Sequence, residues 1–175
     1  MDFKDLVINR ESCRNFSDQP IEKERLEKLI TMARLAPSAV NSQPWSMHVV
    51  YTRELVSKIA PALQVGLMNK FTSKAQAFIV VCEEREPFLP RIISGIKELD
   101  FASIDIGILT AYLTLGATEI GLSSCIIGWF NSNNIIKTLN LPKKTKVRLV
   151  VALGYSNTKP KEKKRKDINL ISKFY

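Results

Sequence analysis

The stretch from Phe101 to Ile120 limits the fold more than any other. It predicts the longest helix of the chain, ended by Gly121-Leu122 with Gly121 as a left-handed C-cap. Ile104, Ile108, Ala111, Leu115 and their neighbours make it apolar nearly all round. Such a helix must be covered, by its own core or by a second subunit. Asp105 and Glu119 are the exceptions, and a charge in those surroundings needs a partner, a capping role or water.

The rest of the chain alternates between helical and strand patterns. Asp2 to Asn9 predicts a short helix capped by Asp2. Glu22 to Leu35 predicts an amphipathic helix with Leu26, Leu29, Ile30 and Ala33 as its apolar stripe, ended by Pro37. Ser46 to Tyr51 predicts a strand, Thr52 caps a helix through Ala60, and Pro61 to Met68 predicts a second short helix. Gln76 to Cys82, strongly apolar, predicts a central strand. Ser123 to Ile127 and Lys146 to Leu153 predict two more strands, with a helix from Asn131 to Leu139 between them. Glu83 to Lys97 is broken by Pro87 and Pro90, and reads either as cover for a pocket or as a surface excursion. Strands separated by helices imply an α+β or α/β layer with one central sheet. No Gly-x-Gly-x-x-Gly, Walker loop or nucleophile elbow is present, which argues against a dinucleotide-binding Rossmann unit and an α/β-hydrolase.

Two segments carry residues suited to binding. Ala36 to Trp45 reads Ala-Pro-Ser-Ala-Val-Asn-Ser-Gln-Pro-Trp, and its prolines restrict a stretch that is small or polar except at Val40. A linker needs no such restriction, whereas a binding loop does. Arg10-Glu11-Ser12-Cys13-Arg14-Asn15-Phe16 places two arginines around a serine, which can grip a phosphate with forked donors and a hydroxyl, or simply face solvent. Trp45 and Trp129 read as packing residues, His48 as a strand residue and Cys125 as an inert buried thiol. Phe71 and Phe88 are candidates to line a substrate side.

The 175 residues suit one domain, 1–175, in which 157–175 form a basic and then hydrophobic tail. The net charge is +9, and five lysines with Arg165 fall within Lys159 to Lys166. Nucleic acid, an anionic membrane or a phosphorylated ligand could each explain that charge, as could solubility alone. Aromatic and basic residues are not interleaved, which makes nucleic acid the weaker reading. The charged start lacks the apolar core of a signal peptide, and no run of about 20 residues is apolar without interruption. Three distant cysteines suit a reducing cytoplasm, and one histidine without Cys-x-x-Cys argues against a structural zinc.

These features, taken in order, resemble the flavin-dependent nitroreductase family in its short form. The resemblance runs over nearly the whole chain. It rests on Ala36 to Trp45, on Arg10-x-Ser12-x-Arg14-x-Phe16, on Asp105-Ile106-Gly107 continuing to Gly121-Leu122-Ser123-Ser124-Cys125-Ile126-Ile127-Gly128, and on Gly154-Tyr155 with the basic segment around Arg165. It implies an α+β three-layer fold with a central mixed sheet covered by helices. It also implies a homodimer holding one FMN at each of two interface sites, with a C-terminal tail wrapped onto the partner. Arg10, Ser12 and Arg14 match positions that hold the ribityl phosphate, completed by Arg165 and Lys163. Pro37, Ser38, Ala39 and Asn41 match a loop that meets the isoalloxazine ring from the partner subunit. Ile127 and Gly128 match the segment beside the reactive ring nitrogen. Glu11 departs from the second arginine that many relatives carry there, and the compact length reduces the family's helical excursion to Glu83–Lys97.

The activity so implied is hydride transfer from NADH or NADPH to a nitroaromatic, quinone or similar electrophilic acceptor, with ping-pong kinetics. The protein's share is positioning and electrostatics, and no side chain is assigned as an acid or base. The alternatives are a specialised flavin dehydrogenase or dehalogenase acting on one metabolite, and a non-catalytic flavin- or nucleic-acid-binding regulator.

Overall fold

The computed structural model describes residues 1–84, 100–158 and 160–175. Its helices are α1 (Phe3–Asn9), α2 (Lys23–Ala33), α3 (Arg53–Leu63), α4 (Phe101–Glu119), α5 (Ser132–Thr138) and α6 (Ile168–Ile171). The strands are β1 (Trp45–Val50), β2 (Ala77–Glu83), β3 (Ser123–Ile127) and β4 (Lys146–Gly154). Local chemistry sets most boundaries. The side chains of Asp2, Thr52 and Asn131 each accept an N–H of the first turn of α1, α3 and α5. Gly121, at φ +75°, ends α4 in a Schellman turn, with Leu122 N–H on the Ala117 carbonyl at 2.8 Å.

The sheet order is β1-β2-β4-β3, with every strand pair antiparallel. Its mixed character comes from one parallel bridge, Ser12 to Ser124, at the outer edge of β3. β2 lies inside the sheet, as its unbroken apolar run requires. Its side chains alternate between two cores. Phe78, Val80 and Cys82 join Val150 and Ala152 of β4 against α3 and α5. Ala77, Ile79 and Val81 join Val151 and Leu153 against α2 and α4. Three layers result, helices on each face of one sheet.

In α4, Leu109 and Leu113 are fully buried against α2 and the sheet. Gly116 lets α2 come close, since a Cβ there would lie 3.0 Å from Leu29 Cδ1. By length and composition alone α4 could cross a membrane, but half of its apolar window is buried inside the protein. The opposite stripe, Ile104, Gly107, Ala111 and Tyr112, is exposed. Ile168, Leu170, Ile171 and Phe174 of the tail are exposed as well.

Two expectations are corrected. Pro61 does not start a new helix. It sits in the last turn of α3, where its missing N–H costs only a bond to the exposed Ser57 carbonyl, and residues 64–68 are not helical. Trp129 is 64% exposed and packs little within its own chain, whereas Trp45 does pack on the core. Phe88 and most of the Glu83–Lys97 segment lie outside the described residues.

Asp100 caps α4, accepting the Ser103 N–H at 2.9 Å and the Ser103 hydroxyl, with Arg148 Nη2 at 3.5 Å. The Ser103 bonds, helped by Arg148, hold its carboxyl below the usual range. A carboxylate depressed on folding stabilises above its unfolded pKa and loses that contribution as the pH falls through the folded value. Asp100→Ala is therefore expected to cost about 1 kcal/mol near neutrality. Thermal unfolding should show the gap to wild type narrowing as the pH falls below the ordinary carboxylate range.

Candidate functional site

After α1 the chain runs extended along the sheet edge, with Cys13 N–H donating to the Ser124 carbonyl at 2.9 Å. Cys13 and Phe16 point inward, while Ser12 and Arg14 are exposed and Arg10 is half-buried. The Phe16 ring lies on Gly154, where an added Cβ would come within 2.7 Å of Phe16 Cδ1. Glycine is required at 154 by that close approach. Ser17 N–H donates to the Tyr155 carbonyl at 2.7 Å. The Arg-x-Ser-x-Arg-x-Phe segment and the Gly154-Tyr155 pair, far apart in sequence, are thus one packing unit. Phe71, a candidate to line a substrate side, packs beside Phe16 at 6.2 Å and under the Arg14 guanidinium at 5.9 Å.

The basic tail folds back onto this segment. Glu11 Oε2 accepts the Lys161 N–H at 2.9 Å, Lys163 Nζ donates to the Ile8 carbonyl, and Asn15 Nδ2 donates to Thr158 Oγ1 at 3.1 Å. Glu11 has a task of its own, docking the tail. Arg165 Nη1 donates to the Lys164 carbonyl, and no described bond joins it to Arg10 or Arg14. Among the described residues, no carboxylate lies within salt-bridge distance of Arg10, Arg14, Lys163 or Arg165. Cations left without side-chain counterions beside a serine hydroxyl suit a doubly charged phosphate.

The Ala36–Trp45 loop is a separate unit. A 3-10 turn, Ala39–Asn41, lies between Ser38 and Ser42. Val40, Asn41 and Gln43 have φ of 47°, 55° and 45°, all left-handed and none glycine. A β-branched residue at positive φ is a genuine outlier, and each such residue costs about 1–3 kcal/mol. Ser38 Oγ accepts the Gln43 N–H at 2.9 Å. From below, Asp105 of α4 accepts the Ala39 N–H at 3.2 and 3.1 Å with its two oxygens, and Ser42 Oγ at 3.5 Å. Pro37 and Asn41 are exposed, Ser38 and Ala39 half-buried. No described hydrogen bond links this loop to the Arg10–Arg14 segment.

At the far end of β3, Ile127 is buried and Gly128 exposed, and an added Cβ on Gly128 would meet no atom within 4 Å. The structure therefore sets Ser12 against Ser124 at the start of β3, with Arg10 and Arg14 two residues to either side along the chain, and ties Lys163 to Ile8 of α1. It leaves Pro37, Ser38, Ala39 and Asn41 over α4, and Ile127 and Gly128 at the strand end. His48 is a strand residue beside Ser46 Oγ at 3.3 Å. Burial pushes the Cys82 thiol up to about 11 and raises Cys125 too, which makes both poor nucleophiles. Among the described residues no cluster of His, Cys, Asp and Glu could hold a metal. Sequence reasoning flagged Asp105 as a charge in need of a partner but missed that the partner is the loop.

A sequence profile described as the nitroreductase family matches residues 7–68 and 64–155. An Archaeoglobus fulgidus protein provisionally named NADH dehydrogenase/NAD(P)H nitroreductase is 34% identical over 163 residues, covering 91% of this chain and 86% of that one. A nitroreductase family protein from Clostridium difficile 630 superposes with a TM-score of 0.77 at 29% identity, covering 99% of this chain and 98% of its own. An FMN-dependent nitroreductase from Clostridium difficile R20291 does so with a TM-score of 0.76 at 25% identity, covering 97% and 96%. With its three layers, its phosphate-suited edge and a match over most of its length, the chain belongs to the nitroreductase family.

Proposed function

We propose that the chain is an FMN-dependent oxidoreductase that takes reducing equivalents from NADH or NADPH and passes them to a nitroaromatic, quinone or similar electrophilic acceptor. The observation that carries this reading is the docking of the tail on residues 8–15, with Lys163 bonded at Ile8 and no described carboxylate paired with Lys163, Arg10 or Arg14. In this reading Arg10, Ser12, Arg14 and Lys163, with Arg165, hold the ribityl phosphate. Bound FMN would supply the hydride chemistry. Ala39 and Ser38 leave room for close approach to a ring, and Asn41 can both donate and accept at a polar ring edge. Gly128 presents a backbone N–H that can steady negative charge developing on a nearby ring nitrogen. Donor and acceptor would use one open face in turn, giving ping-pong kinetics.

The reading includes a homodimer. The loop and the cation cluster are not joined within one chain, and the open stripe of α4 and the apolar tail both call for cover. We place the protein in the cytoplasm, where its three free, buried thiols stay reduced.

Purified protein titrated with FMN should gain a bound flavin absorbing at about 450 nm that NAD(P)H bleaches. A protein that neither binds FMN nor consumes NAD(P)H sinks the proposal. Sedimentation should give a dimer. Tyr112→Lys should weaken it about tenfold or more, because it buries an unpaired charge. Gly128→Ala has free space in the chain and should change stability by less than about 0.5 kcal/mol. FMN affinity should nevertheless fall about tenfold, because the methyl takes room the ring edge needs. Equal affinity would move the ring away from β3.

A further inference from the structure

Asp105 is a buried carboxylate, 3% exposed, on the second turn of α4, whose buried face is otherwise apolar apart from Thr110 and Thr114. It does not cap α4, since Asp100 does that. Among the described residues it has no ion-pair partner. A buried carboxylate survives only when hydrogen bonds replace its water. Every described donor to Asp105 belongs to the Ser38–Gln43 loop: the Ala39 N–H at 3.2 and 3.1 Å and the Ser42 hydroxyl at 3.5 Å. Ala39 opens the turn, immediately before Val40 and Asn41 take their left-handed backbone. Val40 is 73% exposed, so packing within its own chain does little to offset that conformation. The loop must be held from beneath, and among the described residues the charge bonded to it there is Asp105.

We infer that Asp105 is a positioning residue that holds the Ser38–Gln43 loop in its left-handed form before any ligand arrives, so that the loop meets the flavin already shaped. The flavin half of this inference rests on the function proposed above, while the hold on the loop does not. A charged acceptor gives roughly twice the strength of a neutral one, so the hold should scale with the acceptor at position 105. Preorganisation of this kind raises affinity by removing the ordering cost at the moment of binding.

The test follows amide hydrogen exchange at Ala39 together with FMN titration, in wild type, Asp105→Asn and Asp105→Ala. The Ala39 amide is expected to be protected in the flavin-free wild type and to exchange about tenfold faster or more in Asp105→Ala. The FMN dissociation constant should rise about tenfold in the same variant, with Asp105→Asn between the two in both measurements. A buried residue of merely structural importance would lower the melting temperature without this graded order. Wild-type exchange at Ala39 in both variants overturns the inference, and so does faster exchange with unchanged FMN affinity. Should the alanine variant fail to fold, Asp105→Asn decides alone, since unchanged exchange there overturns the hold. Exchange needs no flavin, so a wild type that takes up no FMN defeats the functional reading while the loop measurement still stands.

Discussion

Replacing Arg10 and Arg14 together by alanine is expected to weaken FMN binding by about a hundredfold to ten-thousandfold. A charge-assisted hydrogen bond contributes about 1.5–3 kcal/mol net, and each 1.4 kcal/mol is about tenfold in affinity. Removing two such bonds gives that range. Neither arginine makes a described ion pair, so their removal strands no buried carboxylate. Arg14 gives up its place over Phe71, a stability change of about 0.5–1 kcal/mol. Arg14→Lys keeps the charge but loses the fork, and should fall between wild type and the double variant. Raising the salt should weaken wild type more than the double variant, because the exposed cations are screened. Fluorescence titration with FMN measures all three, and unchanged affinity in the double variant would remove the phosphate from this edge.

Phe16→Ala should be the most destabilising of these substitutions, at about 3–5 kcal/mol. The ring is 3% exposed and fills the gap between Gly154 and Phe71. Without it the extended segment loses its inward anchor, and Ser12 and Arg14 lose the support that fixes their positions. For a chain of this size the melting temperature should drop by about 6–20 °C. Gly154→Ala stresses the same contact from the other side, forcing a methyl into the ring at a cost of about 1–3 kcal/mol. The double variant should cost clearly less than the sum, since removing the ring makes room for the methyl. Urea unfolding of the four proteins completes the cycle. Strict additivity would mean that the two residues do not share the contact.

What the sequence disclosed divides by range. Asp2, Thr52 and Gly121 were legible because a cap acts on its own helix within a few residues. The two-sided burial of β2 followed from an apolar run too short for a helix and too continuous for an edge. The Pro61 boundary was misread because proline ends a helix only when its missing N–H matters, and in the last turn it does not. The crossing of β4 between β2 and β3 could not be read, since nothing local records which strands become neighbours. The candidate site divides in the same way. The residue types of the Arg10–Phe16 segment and of the proline-bracketed loop announced themselves. That Glu11 docks the tail and Asp105 docks the loop did not, because each bond joins segments whose separation only the folded chain reveals.

The cation cluster also has a timetable. The three described bonds between its segment and the tail span 143, 150 and 155 positions, so they close nearly the whole chain into a loop. Contacts of such span form late in folding. On the ribosome, Arg10 and Arg14 emerge early, yet their neighbourhood stays incomplete until position 163 has followed. A nascent chain can lay down most of its sheet while the edge proposed to hold the phosphate is still half built.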